Sequence, residues 1–187
     1  FAEIEAFQAS GDWAGASEAM VQAARRLERG GAQCVVICTN TMHKMADDVQ
    51  AAVDIPLIHI GDATATAIKR SGAEKPLLLA TRYTMEEDFY KGYLRDRHGI
   101  EVAVPDADGR MVVHEIIYHE LCQGIVSPES KRRYLDVIAG AMADGIDGVI
   151  FGCTEVGLLL SADDLDVPVF DTSELHARAA LDFALSN

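Results

Sequence analysis

Two cysteines occupy positions suited to chemistry. Cys38 closes the run Val35-Val36-Ile37 and is followed by Thr39, Asn40 and Thr41, while Cys153 follows Gly148 to Phe151 and precedes Thr154 and Glu155. Short runs rich in β-branched residues read as buried parallel strands, and the polar residues after them as turns into helices. Each thiol is therefore predicted at the carboxyl end of a strand, the edge at which open α/β sheets bind ligands. Unpaired backbone N–H groups and the positive end of a helix dipole stabilise anions there, so the position can lower a thiol pKa and hold a substrate carboxylate. Two opposed thiols could remove a proton from one face of a substrate carbon and return one to the other. That is racemisation or epimerisation by two bases, with one cysteine as thiolate and its opposite as thiol at the start of each turnover.

Other candidates have simpler readings. Cys34, in the interior of its strand, and Cys122, late in an apolar helix, are expected in the core, where free cysteine is most often found. A metal site from Cys34, Cys38 and His43 would need that core cysteine as a ligand, so no metal is expected. His43 falls in a first helical turn and reads as structural, with His59 at a strand end near the cleft. Asp62 and Asp171 read as helix caps. His114, Glu115, His119 and Glu120 read as a solvated helix face.

The elements that must carry these residues alternate. A helix over 14–29 ends near Gly30-Gly31, and strand 34–37, a helix over about 42–53, strand 57–60 and a helix from Asp62 to Arg70 follow. Pro76–Ala80 is the next buried strand. Thr84 and Glu87 match a capping box before a helix bearing Phe89, Tyr93 and Leu94. Strand 100–104, helices 111–122 and 128–143, strands 148–151 and 167–170 and a helix from about Ser173 complete the chain. Such alternation implies a parallel sheet wrapped by helices.

The order repeats. Strand, Cys38-Thr39 and then Asp54-Ile55-Pro56-Leu57-Ile58 is answered by strand, Cys153-Thr154 and then Asp166-Val167-Pro168-Val169-Phe170. Two α/β lobes related by an approximate twofold would bring both cysteines to one inter-lobe cleft, a usual place for a small-ligand pocket.

Composition excludes several classes. A formal net charge of −14 argues against nucleic acid and anionic membrane partners. No run approaches the roughly 20 apolar residues of a membrane span. Four cysteines without regular short spacing fit reduced thiols and a cytoplasmic location.

Cys38-Thr39-Asn40-Thr41-Met42-His43-Lys44, Ala80-Thr81-Arg82-Tyr83-Thr84-Met85 and Gly152-Cys153-Thr154-Glu155 resemble motifs of the aspartate/glutamate racemase family, the cofactor-independent amino-acid racemases, over essentially the whole chain. The resemblance implies an isomerase of two pseudo-symmetric α/β lobes acting on a small polar amino acid, without pyridoxal phosphate or metal. The catalytic pair falls on Cys38 and Cys153. Substrate contacts fall on Thr39, Asn40, Thr41, Thr81, Thr84, Thr154 and Glu155. The lobes are expected over 1–61 with 172–187, and over 62–171. The family opens with a strand and Gly-rich loop that have no counterpart ahead of Phe1, so a truncated start is expected. Glu155 stands where related glutamate racemases often carry His, which argues against strict glutamate specificity and suggests a hand in the protonation of Cys153. A homodimer is compatible with this reading. The alternatives are other reactions of the superfamily, of the hydantoin racemase, maleate isomerase or decarboxylase type, and a non-catalytic amino-acid sensor. The decarboxylases tend to keep only one of the two cysteines.

Overall fold

The computed structural model describes residues 2–186, so Phe1 lies outside the described residues. The chain folds as an α/β protein with two parallel sheets, each flanked by helices. In the smaller, β1 (Val35–Val36) pairs with β2 (Leu57–Ile58); in the larger, β4 (Gly148–Phe151) lies between β3 (Pro76–Leu79) and β5 (Val169–Asp171). Every residue of β3 and β4 is buried, as a parallel strand covered on both faces requires.

The repeat in the sequence reappears as hydrogen bonding. Val35 N–H donates to Pro56 O at 2.9 Å, and Val149 N–H donates to Pro168 O at 2.9 Å. Each proline thus starts the strand that pairs with the one leading to a cysteine. Helices α4 (Ile60–Ser71) and α10 (Thr172–Ser186) leave the ends of β2 and β5 and pack against each other. Two apolar cores result. Ala16, Val35, Ile37, Met42 and Val49 belong to one; Ile68, Leu77 to Leu79, Tyr90, Ile116, Tyr134 and Val149 to Phe151 belong to the other.

Two glycines set the close approach of the larger sheet. A Cβ on Gly148 would lie 2.9 Å from the Phe170 ring, and one on Gly152 would lie 2.5 Å from Leu78 Cδ1 and 3.0 Å from Ala80 Cβ. Gly152 N–H donates to Leu79 O at 2.8 Å, so the residue before Cys153 is seated hard against β3.

Several local expectations are corrected. The first helix of the smaller lobe is α1 (Ala2–Ser10), followed by α2 (Trp13–Arg29). The segment after Asn40 winds as a 3-10 turn over Thr41–Met45 before α3 (Ala46–Ala51). His59, not Asp62, caps α4: its Nδ1 accepts from Gly61 N–H at 3.0 Å, while Asp62 accepts from Tyr93 and His98. Asp171 does cap α10, accepting from Ser173 N–H and Glu174 N–H.

The Thr84–Glu87 box does not form. Thr84 sits inside the short helix α5 (Arg82–Glu86), and Glu87 precedes α6 (Asp88–His98) without a side-chain cap. Residues 100–104 are not a strand; only Ala103 bridges to Leu77. Gly99 N–H bonds back to Arg95 O and Ile100 N–H to Leu94 O, closing α6 with Gly99 in the left-handed conformation of an αL cap. Helix α7 spans Ala107–His119 and ends before Cys122, α8 spans Pro128–Met142, and α9 is the single turn Val156–Leu159. Of the four residues expected on a solvated face, Glu115 and His119 do form a plain solvated pair. His114 accepts from Arg82 N–H and Glu120 accepts from Ser127 and Ser130.

Candidate active site

Cys38 follows β1 and Cys153 follows β4, and both line one cavity of about 350 Å³. Thr39, Asn40 and Thr41 line it from the β1 side, and Thr81, Thr154 and Glu155 from the β3 and β4 side. Of the residues expected at a site, only Thr84 is absent from the wall.

Thr84 stands directly behind it. Its hydroxyl lies 3.1 Å from Thr41 Oγ1 and 3.3 Å from Thr81 Oγ1, and those two are 3.1 Å apart. Thr84 is fully buried, so this triangle of hydroxyls joins the two lobes and presents Thr41 and Thr81 to the cavity. A hydroxyl has one proton and two lone pairs, so the pair can offer lone pairs to an ammonium, and a proton to a carboxylate only by giving up a contact within the triangle.

The two thiols differ in their surroundings. Cys38 is exposed and its Sγ lies 3.9 Å from Val36 O. Cys153 is half-buried and donates to Glu155 Oε2 at 2.9 Å, an oxygen that also accepts from the Thr154 hydroxyl at 2.7 Å. Burial, with the Glu155 carboxylate next in weight, holds the Cys153 thiol well above its ordinary range. The expected lowering by a helix N-terminus fails here because α9 is one turn long and a carboxylate stands beside the sulfur. Cys153 is a thiol at neutral pH.

His43 positions rather than reacts. Its Nε2 accepts from Ile60 N–H at 3.1 Å, so its Nδ1 carries the proton and donates to Thr39 O at 2.8 Å. Both ring nitrogens are thus occupied by backbone, which removes it as a metal ligand. Burial and the neighbouring His59 lower its pKa to about 3. His43 stays neutral and fixes the peptide just after Cys38.

Part of the wall was not legible as a site. Ile4, Glu5 and Gln8 of α1 line the cavity, with Tyr118 of α7 and Cys122. Gln8 reaches across the cleft: its Nε2 donates to Met42 Sδ at 3.3 Å, its Oε1 accepts from Tyr118 OH at 3.3 Å, and its carbonyl accepts from Tyr83 OH at 3.4 Å. The expected core position of Cys122 is overturned. Helix α7 stops at His119 and the 3-10 turn Leu121–Gln123 carries Cys122 out, where it is exposed. The apolar pair Ile4 and Phe7 and the polar pair Glu5 and Gln8, each three residues apart, were the sequence signals for α1.

Comparison with known proteins bears on this arrangement. Residues 1–180 match the family model described as Asp/Glu/Hydantoin racemase. A solved structure from Yersinia pestis, described as a candidate Asp/Glu racemase, is 54% identical with a TM-score of 0.92, covering 99% of this chain and 80% of that chain. An aspartate racemase homologue from Pyrococcus horikoshii OT3 is 37% identical with a TM-score of 0.84, covering 96% and 78%. The broad specificity amino-acid racemase RacX of Bacillus subtilis is 20% identical over 171 residues, covering 88% of this chain and 70% of its own.

Proposed function

Since the chain belongs to the Asp/Glu/Hydantoin racemase family, and hence to amino-acid-racemising isomerases, we propose that it inverts a small polar amino acid of the aspartate/glutamate type by proton transfer between Cys38 and Cys153, without pyridoxal phosphate. The observation that carries this reading is the meeting of both thiols, from matched strand ends, in one cavity of about 350 Å³. We take the lobes as 1–61 with 172–187, and 62–171.

In the proposed turnover, Cys38 as thiolate removes the α-proton from one face of the bound amino acid. Cys153, held as a thiol, delivers its proton to the opposite face of the resulting carbanion. One C–H bond breaks at each turnover and one forms, and the charge passes from Cys38 sulfur to Cys153 sulfur. The reverse direction starts from the Cys153 thiolate, and Glu155, already hydrogen-bonded to that sulfur, is placed to take its proton. Thr39, Asn40, Thr41, Thr81 and Thr154 supply the polar contacts to substrate, and Thr84 supports two of them. Placement in the cytoplasm is supported by the four free thiols, which suit a reducing compartment.

The test is α-proton exchange in heavy water, followed by NMR on L- and D-aspartate, glutamate and homoserine with the wild-type chain and the Cys38→Ser and Cys153→Ser variants. The reading expects one amino acid to exchange and invert, and either substitution to stop inversion. Full inversion by either serine variant would sink the two-thiol mechanism.

A further inference from the structure

A short hydrogen-bonded chain behind the cavity fixes which way one amide faces. The hydroxyl of Thr172 donates its single proton to Phe151 O at 2.7 Å, a carbonyl that can only accept. Toward Asn40 the hydroxyl therefore offers lone pairs alone. Asn40 must turn its Nδ2 to it, at 2.9 Å, across a separation of 132 residues in sequence. The amide assignment is thus dictated by donor and acceptor counting.

The consequence falls on the other end of the amide. Asn40 Oδ1 is buried without a protein partner, on a residue that forms the cavity wall beside Cys38 and Thr41. A buried acceptor left unpaired is unfavourable until something donates to it. An amino acid carries one strong donor that all its kind share, the α-ammonium; its carboxylate would set lone pairs against lone pairs.

Resting on the racemase reading above, we propose that Thr172 is a positioning residue whose hydroxyl locks the Asn40 amide, so that Oδ1, covered in the ligand-free protein, is the acceptor left for the substrate's α-ammonium group once binding uncovers it. Thr172 is fully buried and does not line the cavity, so it acts only through Asn40. With the ammonium at Asn40, the α-carboxylate turns toward the hydroxyls of Thr41 and Thr81, which donate to it by giving up contacts within their triangle with Thr84. The amino acid is thereby oriented about its α-carbon between the two sulfurs.

The test uses Thr172→Val, which keeps the shape and removes the hydroxyl, and Thr172→Ser, which keeps the hydroxyl. In the ligand-free protein, NMR of the Asn40 side-chain NH2 should show it against residue 172 in wild type and Thr172→Ser, and released in Thr172→Val. With whichever amino acid the wild type exchanges, Thr172→Val should raise KM about tenfold with a smaller effect on kcat, and Thr172→Ser should restore it. Aspartate and succinate, which lacks the ammonium, are then compared as competing ligands. Aspartate affinity should fall in Thr172→Val while succinate affinity holds. Equal falls for both, an unchanged KM in Thr172→Val, or a Thr172→Ser protein as impaired as Thr172→Val at the same melting temperature would overturn the proposal. A wild-type protein that exchanges no amino acid would instead defeat the racemase reading, and the amide NMR would still decide whether Thr172 sets the Asn40 orientation.

Discussion

Cys153 and Glu155 are joined by a thiol-to-carboxylate hydrogen bond of 2.9 Å, made within two residues of chain. The carboxylate raises the cost of forming a thiolate at that sulfur and at the same time offers the thiol's proton somewhere to go. Replacing it separates the two effects. In Glu155→Gln the Cys153 titration should move down toward the ordinary thiol range, because the negative neighbour is gone, while racemisation falls by about 10²-fold as proton exchange at Cys153 loses its partner. Thiolate absorbance against pH, together with α-proton exchange, reads both. A Cys153 titration that stays in place would show that burial alone sets it.

Cys122 shares the cavity wall with the two candidate catalytic thiols but no bond is proposed to pass through it. Cys122→Ser should keep α-proton exchange close to wild type, whereas Cys38→Ser and Cys153→Ser should lose about 10²-fold or more. A comparable loss in Cys122→Ser would move that residue into the mechanism.

Acid should destabilise the fold through His43. Its pKa is lowered to about 3 in the folded protein against about 6.5 when unfolded, so below pH 6.5 the unfolded chain binds a proton that the folded chain does not. The contribution is full above pH 6.5 and is lost progressively as pH falls toward 3, at about 1.4 kcal/mol per pH unit from this one group. Urea midpoints between pH 7 and 4.5 should show the decline. In His43→Asn, which can still pair with backbone, the slope should flatten; an unchanged slope would assign the effect to other groups.

Gly152→Ala should be costly out of proportion to one methyl. The added carbon would press on Leu78 and Ala80, and overpacking of this kind costs about 1–3 kcal/mol. Thermal unfolding reads the loss, and a shift of Cys153 relative to Glu155 should also change its alkylation rate. Wild-type stability in this variant would mean that β3 and the Cys153 turn can separate without penalty.

What was legible in the sequence follows from what local chemistry determines. The buried strands showed as apolar runs, and the prolines of the repeat marked strand starts because the same backbone bond recurs at Pro56 and Pro168. Both thiols and six of the seven expected substrate contacts line one cavity. The misses depend on distant partners. Thr84 reads as a cap until Thr41, 43 residues away in sequence, is brought to it. His59 displaces Asp62 as the cap because Asp62 is drawn to Tyr93 and His98. Cys122 left the core because α7 ends early, an end fixed by Glu120 and the serines after it. Ile4, Glu5 and Gln8 carried too little pattern to be assigned to a wall that only tertiary structure creates.

Helix α1 has no buried residue, although Ile4 and Phe7 rest on the smaller core and Gln8 ties it to Met42 and Tyr118. Amide exchange with solvent proceeds by local opening, and segments with little buried apolar surface open at the smallest free energy. The amides of α1 should therefore lose their protons to heavy water early, and those of β3 and β4 only on global unfolding. One face of the cavity thus belongs to the least protected cooperative unit of the protein, and the faces that hold the two sulfurs to more protected ones.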